Sequence, residues 1–410
     1  MFNRVRVLVL FIVLIFIFSI SLAISYAKYE NYSGVFEDEG IAIETLNTED
    51  QPKSIFDLQA KSAILVDAGS GQVLFEKNCH DKLMPASVTK VMSLILIMEA
   101  IDTGKIKLED KVDCSEYAAG MGGSQVWLEP GEQMAVDDLL KCVVIGSAND
   151  ATVALGEHVY GSNEAFVKAM NDKAKKLGMN DTNFVNATGL DIDNHYTSAY
   201  DIARMSRELI NKHPLIFKYT TVWMDTVRNG EFGLNNTNKL IRFYKGCDGI
   251  KTGSTSKALF SLSATAQRNG LRLIAVAMAA PTSKIRNGEV SKLLDHGFAN
   301  YGSVLVGKKN DVLGTIKVAR GVTGRLDCIV PDDVRVLVKK GEEGTVERII
   351  FLEPKIQAPI MKGQKVGEVA LKSKDKNLGK YDLVARETIE KASFVRIFQS
   401  MFNRWLYIGR

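Results

Sequence analysis

The sequence predicts an α+β domain followed by a small all-β domain and a C-terminal amphipathic helix. Three observations carry this expectation. Helical apolar periodicities are mixed with strand-like runs up to about Val306. From Gly307 to Lys380, short β-type runs are punctuated by Gly, Pro and charge clusters. Near the C-terminus, Phe394, Ile397, Phe398, Met401, Phe402, Trp405 and Ile408 line up as one helical stripe. The 410 residues, 46% of them hydrophobic, are enough to fill the cores of about two or three domains.

The N-terminus speaks to compartment. Arg4 and Arg6 precede an apolar run from Val7 to Ile24, and Ser25-Tyr26-Ala27 ends it with a small-x-small pattern. This reads as a signal peptide, residues 1–27, cleaved after Ala27. An uncleaved anchor is the competing reading, because the run is nearly long enough to span a bilayer. In both readings the bulk of the chain is exported, at the outer face of the cytoplasmic membrane. Residues 28–54 carry seven Asp/Glu against two Lys with no periodicity, a flexible acidic spacer.

The first domain is expected over residues 55–306. Ala63–Val66 and Val73–Phe75 flank Asp67-Ala68-Gly69-Ser70-Gly71, a hairpin signature. Val88 to Ile101 is almost wholly apolar, with Gly104 as a stop, so that helix is expected to be buried on all sides. Val136–His158, Ala165–Leu177 and Ala199–Ile210 read as further helices. Beyond Lys239 the pattern turns to strands: Ala258–Ala266 and Leu271–Ala279 join through Asn269-Gly270, a strong hairpin signal. Val290–Tyr301 returns to helix.

The second domain, 307–380, is expected to hold strands at Val312–Val318, Leu326–Val330, Val334–Val338, Val346–Leu352 and Lys365–Leu371. Residues 381–410 form the third piece. From Lys391 onward the charges are Lys391, Arg396, Arg404 and Arg410, with no acid. A basic amphipathic helix with Phe and Trp on one face suits a membrane interface; a helix docked on the β-domain is the alternative.

Composition excludes several classes. A net charge of +4 is too small for this length to indicate nucleic acid. The five cysteines lack CxxC spacing and only five histidines occur, so no metal site and no cofactor are expected. Cys79, Cys114, Cys142, Cys247 and Cys328 read as buried free thiols.

Three strings carry chemistry as a set. Ser-x-x-Lys occurs four times, but only Ser87-Val88-Thr89-Lys90 opens a buried helix. A serine at a helix start sits among unpaired N–H groups, and Lys90, three residues on, shares its face. Burial pushes an amine toward its neutral form, which then serves as base to a serine nucleophile. Ser147-Ala148-Asn149 places a hydroxyl and an amide where both reach a common point, although an N-cap explains it equally well. Lys251-Thr252-Gly253, on a strand, offers an ammonium and a hydroxyl to a carboxylate, and Gly253 leaves room for substrate to approach the backbone.

In this order the three strings resemble the signature of penicillin-binding proteins and β-lactamases. The surrounding text is similar to the low-molecular-weight D-alanyl-D-alanine carboxypeptidases, the S11-type serine peptidases. Pro85-Ala86-Ser87, Asn149-Asp150-Ala151 and Asp248-Gly249-Ile250 carry it, with Phe184-Val185-Asn186, Gly189-Leu190 and Ser198-Ala199-Tyr200-Asp201. The resemblance spans roughly Ala60 to Tyr301 and implies a β-lactamase/transpeptidase-like fold, an antiparallel sheet packed with helices. It implies that Ser87 attacks the penultimate D-alanine of a peptidoglycan stem pentapeptide with Lys90 as base. Ser147 passes a proton to the departing amine and Asn149 orients the substrate amide and Lys90. Lys251 and Thr252 bind the terminal carboxylate, and the N–H groups of Ser87 and Ser254 form the oxyanion hole. β-Lactam antibiotics are implied as acylating inhibitors.

The chain departs from the family pattern at Ser254, often aromatic or His, and at Leu259, where glycine is common. It has Asn236-Thr237-Asn238 where some members have Asn-Arg-Asn, which raises Arg242 or Arg286 as a replacement charge. A class A β-lactamase is disfavoured because no Glu lies between Glu164 and Glu208 to activate a deacylating water. An endopeptidase or transpeptidase shares all three strings. A non-catalytic sensor or wall-binding module is the reading from another class.

Overall fold

The computed structural model describes residues 56–374 and 376–393. The signal peptide, the acidic spacer and the stripe from Phe394 to Ile408 lie outside those residues.

Five antiparallel strands form the main sheet. β1 (Ser62–Asp67) and β2 (Val73–Lys77) make the first hairpin, and β3 (Cys247–Thr255), β4 (Leu259–Arg268) and β5 (Leu271–Ala280) complete the order β2-β1-β5-β4-β3. The β4–β5 turn has positive φ at both Asn269 (49°) and Gly270 (81°), the twist that a two-residue hairpin loop needs. Every residue from Leu273 to Met278 is fully buried, so both faces of β5 are covered.

Helices supply the cover. α1 (Lys90–Asp102) buries Leu94, Ile95, Ile97 and Met98 completely, as expected of a helix apolar all round. Ile274, Val276 and Met278 join α1 in one core, and α5 (Ala199–Lys212) lies on that same face, its Ser206 hydroxyl bonded to Ser263 at 2.7 Å. α6 (Ser283–Asn300) covers the other face, with Gly297 set against Leu273 and Leu65.

The helix read over Val136–His158 is two helices. α2 (Val136–Val144) ends at Ile145, and α3 (Asn149–Tyr160) starts after a break in which Ser147 takes φ 64°. The N-cap reading of Ser147-Ala148-Asn149 points to this break, but the residues on both sides are buried and apolar, which runs the two helices into one pattern. α4 (Asn163–Lys176) and α5 are capped by the hydroxyls of Ser162 and Ser198. The last helix begins earlier than Val290 and stops before Tyr301, which is already strand.

The all-β module is present, with different limits. β6 (Tyr301–Gly307) pairs with β9 (Val334–Lys339), so the module begins at Tyr301 rather than Gly307. The remaining strands are β7 (Val312–Ala319), β8 (Arg325–Ile329), β10 (Val346–Leu352), β11 (Lys355–Gln357), β12 (Lys365–Ser373) and β13 (Lys376–Ala385). They form a sheet ordered β10-β12-β13-β8-β7-β11. A boundary at Lys380 would cut β13. Residues 381–385 are strand, not helix, because Leu383 and Ala385 continue the inward alternation and are buried. The chain stays bonded to the module through Ala392, whose N–H reaches the Arg320 carbonyl at 2.8 Å. Among the described residues, no helix is long and apolar enough to cross a membrane. All five cysteines are free and buried.

Candidate active site

The site lies where the turn before α1 meets β3 and the α2–α3 break. Ala86–Thr89 is a 3₁₀ turn, and the α-helix proper starts at Lys90. Ala86 has φ 49°, a conformation costly for a residue with a side chain, and it aims the half-buried Ser87 out of the turn. Two glycines permit that placement. A Cβ at Gly253 would stand 2.6 Å from the Pro85 carbonyl and 2.9 Å from the Ser87 and Val88 nitrogens. A Cβ at Gly189 would stand 1.8 Å from the Ala86 carbonyl oxygen. Gly253 therefore makes room for the Ser87 turn as well as for a substrate approaching the β3 backbone.

Lys90 is fully buried. Its Nζ lies 2.9 Å from Ser87 Oγ, 2.5 Å from Asn149 Oδ1 and 3.0 Å from the Thr188 carbonyl. Burial holds this amine well below the usual lysine range, the Lys251 charge pushes the same way, and Asp150 opposes both. Asn149 is fixed from its other side, donating from Nδ2 to the Gly122 carbonyl at 2.6 Å. Asp150 accepts from Val126 N–H at 3.0 Å and Leu128 N–H at 3.1 Å, which ties the 122–128 loop to the start of α3. Ser147 is buried, and among the described residues its hydroxyl makes no hydrogen bond. It is adjacent to the Lys90–Asn149 pair through the chain, not bonded to it.

Lys251 is 1% exposed and, among the described residues, its ammonium hydrogen-bonds only to the Thr252 carbonyl, at 3.2 Å. Burial, helped by the Arg286 charge, brings it down to about 7. Thr252 donates its hydroxyl to Thr237 Oγ1 at 2.7 Å. The Asn236-Thr237-Asn238 turn is locked onto β3 by Asn238 Nδ2, which donates to the Gly249 carbonyl at 3.0 Å. Of the two arginines the sequence raised, Arg286 belongs here. It is buried on α6, and desolvation lowers it to about 10. Arg242 is exposed and rests on the rings of Trp223 and Phe243.

Lys90, Lys251 and Arg286 thus bring three buried basic side chains together, and none of them is in a salt bridge among the described residues. A desolvated positive pocket beside a polarised hydroxyl binds an anionic group and stabilises developing negative charge. The profile of the D-alanyl-D-alanine carboxypeptidase family matches residues 45–282. The chain belongs to that family. A second profile, the C-terminal domain of penicillin-binding protein 5, matches residues 301–391 and begins where β6 begins.

The carboxypeptidase relatives agree over most of the chain. The D-alanyl-D-alanine carboxypeptidase DacF of Bacillus subtilis is 44% identical over 85% of this chain and 90% of its own length. Penicillin binding protein 5 of Haemophilus influenzae superimposes with a TM-score of 0.68 at 32% identity, covering 82% of this chain and 99% of that one. Penicillin-binding protein D2 of Listeria monocytogenes, solved with ampicillin bound, gives 0.55 at 32% identity over 59% of this chain and 99% of its own. The expected α+β fold with its all-β appendage is shared with penicillin binding protein 5 of Haemophilus influenzae, whereas the Listeria protein matches over the shorter stretch only.

Sequence reasoning missed several supports of this carboxypeptidase site. The Thr188 carbonyl, which accepts from Lys90, carries no local signal, and Thr237, marked only as a departure from Asn-Arg-Asn, gave no hint of its bond to Thr252. His195 was also passed over. Its Nδ1 accepts from Val185 N–H at 3.0 Å, so Nε2 bears the proton and donates to Thr89 Oγ1 at 2.8 Å. Burial lowers this imidazole to about 4 and keeps it neutral. The Asn186 side chain, which accepts from Gly189 N–H at 2.6 Å, shapes the same segment.

Proposed function

We propose that this protein is a serine-type D-Ala-D-Ala carboxypeptidase that removes the terminal D-alanine from peptidoglycan stem pentapeptides through an acyl-enzyme on Ser87. The observation that carries the reading is the buried Lys90 amine, 2.9 Å from Ser87 Oγ and depressed toward its neutral form. With a lone pair on Nζ, the same contact runs in reverse, and the Ser87 hydroxyl donates to Lys90.

The terminal carboxylate docks on Lys251 and Thr252, with Arg286 adding positive potential from behind. Ser87 Oγ attacks the carbonyl carbon of the penultimate D-alanine and its proton passes to Lys90. The N–H groups of Ser87 and Ser254 receive the oxyanion. The C–N bond then breaks as Ser147 delivers its proton to the departing nitrogen and is reprotonated by the Lys90 ammonium, while Asn149 holds the substrate amide and Lys90 in place. Water attacks the ester, the now neutral Lys90 takes its proton, and as the acyl C–O bond breaks Lys90 returns that proton to Ser87 Oγ. A β-lactam enters by the same first step. Wall peptide as substrate, β-lactams as inhibitors and a location outside the cytoplasmic membrane follow from this reading, with the basic tail as the membrane attachment.

The test is release of D-alanine from a synthetic stem pentapeptide. The wild-type chain should release it, and Ser87→Ala and Lys90→Gln should each lose at least about a thousandfold in kcat. Undiminished release by Ser87→Ala would refute the assignment.

A further inference from the structure

At the other end of the main sheet lies a cavity that the Ser87 chemistry does not use. Ser254 pairs with Phe260, and Phe260 with Ala280, at the active-site end; Asp67 pairs with Leu273 at the opposite end. There the β1–β2 turn, the end of α4 and the outer face of α5 enclose about 480 Å³. That volume suits a small molecule. Arg204, Arg207 and Lys212, all from α5, line it together with Ser70, Tyr200, Asn211 and one acid, Glu208.

The charges are unbalanced. Arg204 and Arg207 stand three residues apart on one helix face, a like-charge pair that costs stability unless an anion lies between them. Glu208 is the natural i,i+4 partner of Arg204, but its carboxylate is bound to Lys173 at 2.8 Å. Asp201, one turn before Arg204, is buried and accepts instead from Asp181 N–H and the Thr182 hydroxyl. Among the described residues, none of Arg204, Arg207 and Lys212 has a salt-bridge partner. Lys212 is accounted for in part by the negative end of the α5 dipole; the two arginines are not.

The guanidiniums are also pre-placed. Arg207 donates from Nε to the Ala68 carbonyl at 2.8 Å and from Nη2 to the Gly69 carbonyl, which fixes its plane over the β1–β2 turn. Arg204 donates from Nη1 to the Gly178 carbonyl at 3.1 Å and packs over the Tyr200 ring. Each guanidinium keeps N–H donors to spare, in the fork geometry that matches phosphate oxygens.

We infer that this cavity binds the phosphate group of a small polyol or sugar phosphate. Three cations with several free donors exceed what one carboxylate can satisfy, whereas a phosphate offers more charge and more acceptor oxygens. Tyr200 provides an apolar wall for the attached carbon skeleton. A bilayer is the poorer match, because no exposed large apolar side chain lines the cavity.

The experiment is calorimetric titration of the full chain with inorganic phosphate and with glycerol 3-phosphate at low salt. Saturable binding of both is expected, tighter for glycerol 3-phosphate, with acetate failing to compete. Arg204→Gln and Lys212→Gln should each weaken it about tenfold, and Lys245→Gln, an exposed control outside the cavity lining, should not. Arg207→Gln risks unfolding the β1–β2 turn, so Arg207 is tested in the wild-type chain: bound glycerol 3-phosphate should protect it from phenylglyoxal. Absence of saturable binding, equal competition by acetate, or binding only to anionic phospholipid vesicles would overturn the inference. So would affinity unchanged by Arg204→Gln and Lys212→Gln.

Discussion

A side-chain carbon at Gly253 would lie 2.9 Å from the Ser87 nitrogen, so β3 and the Ser87 turn touch backbone to backbone. One glycine therefore couples the carboxylate-binding string to the serine. Gly253→Ala must push β3 or the Ser87 turn aside, at a cost of about 1–3 kcal/mol. The expected outcome is acylation by penicillin slowed by about tenfold to a hundredfold, while circular dichroism reports an intact fold. An unchanged acylation rate would show that the contact relaxes freely.

The two buried lysines predict a bell-shaped pH profile in kcat/KM. Below the depressed value of Lys90 its amine is protonated and cannot act as base, so activity falls on the acid side. Above about 7 the free enzyme's Lys251 loses the charge that docks the carboxylate, so activity falls on the alkaline side. Bound carboxylate favours the ammonium, so the alkaline limb should move to higher pH in kcat. Lys251→Arg should move the limb upward in kcat/KM as well. A limb near 7 that ignores this substitution would assign it to another group.

His195 predicts acid sensitivity of the fold. Its value falls from 6.5 to about 4 on folding, so the native state resists protonation that the unfolded chain accepts. Its contribution is fully present above 6.5 and is lost as pH falls toward 4. The difference amounts to about 3 kcal/mol. Urea unfolding at pH 7 and pH 4 measures it, and His195→Gln, with Thr89 still bonded, should reduce the difference between the two.

Membrane attachment is tested by removing residues 394–410. Cutting at Lys391 would be misleading, because Lys391 bridges to Gly321 and Ala392 bonds to Arg320. The shortened chain should leave anionic vesicles in a flotation assay and keep its acylation rate within about twofold. Retention on vesicles would place the attachment elsewhere.

What the sequence disclosed follows from the range of each interaction. Ser87 and Lys90 were legible because a lysine in an apolar helix contradicts its local pattern, and the β4–β5 turn because Asn-Gly favours its conformation. The break at Ser147 was signalled only by its N-cap reading, against buried apolar residues on both sides that favour one continuous helix. Arg286 could be named but not chosen over Arg242, since only the packing of α6 on the sheet brings it to Lys251. The start of the β-module at Tyr301 was missed because β6 follows α6 without a turn residue. The strand through Ala385 was lost for a similar reason: its alternation runs into residues read as the start of the terminal helix.

The central claim is that Ser87 is the nucleophile. Incubating the full chain with penicillin, quenching, and mapping the adduct by mass spectrometry tests it most directly. The account predicts a single stoichiometric penicilloyl adduct on the peptide containing Ser87, absent in Ser87→Ala. An adduct on any other residue, or one that persists in Ser87→Ala, would contradict it.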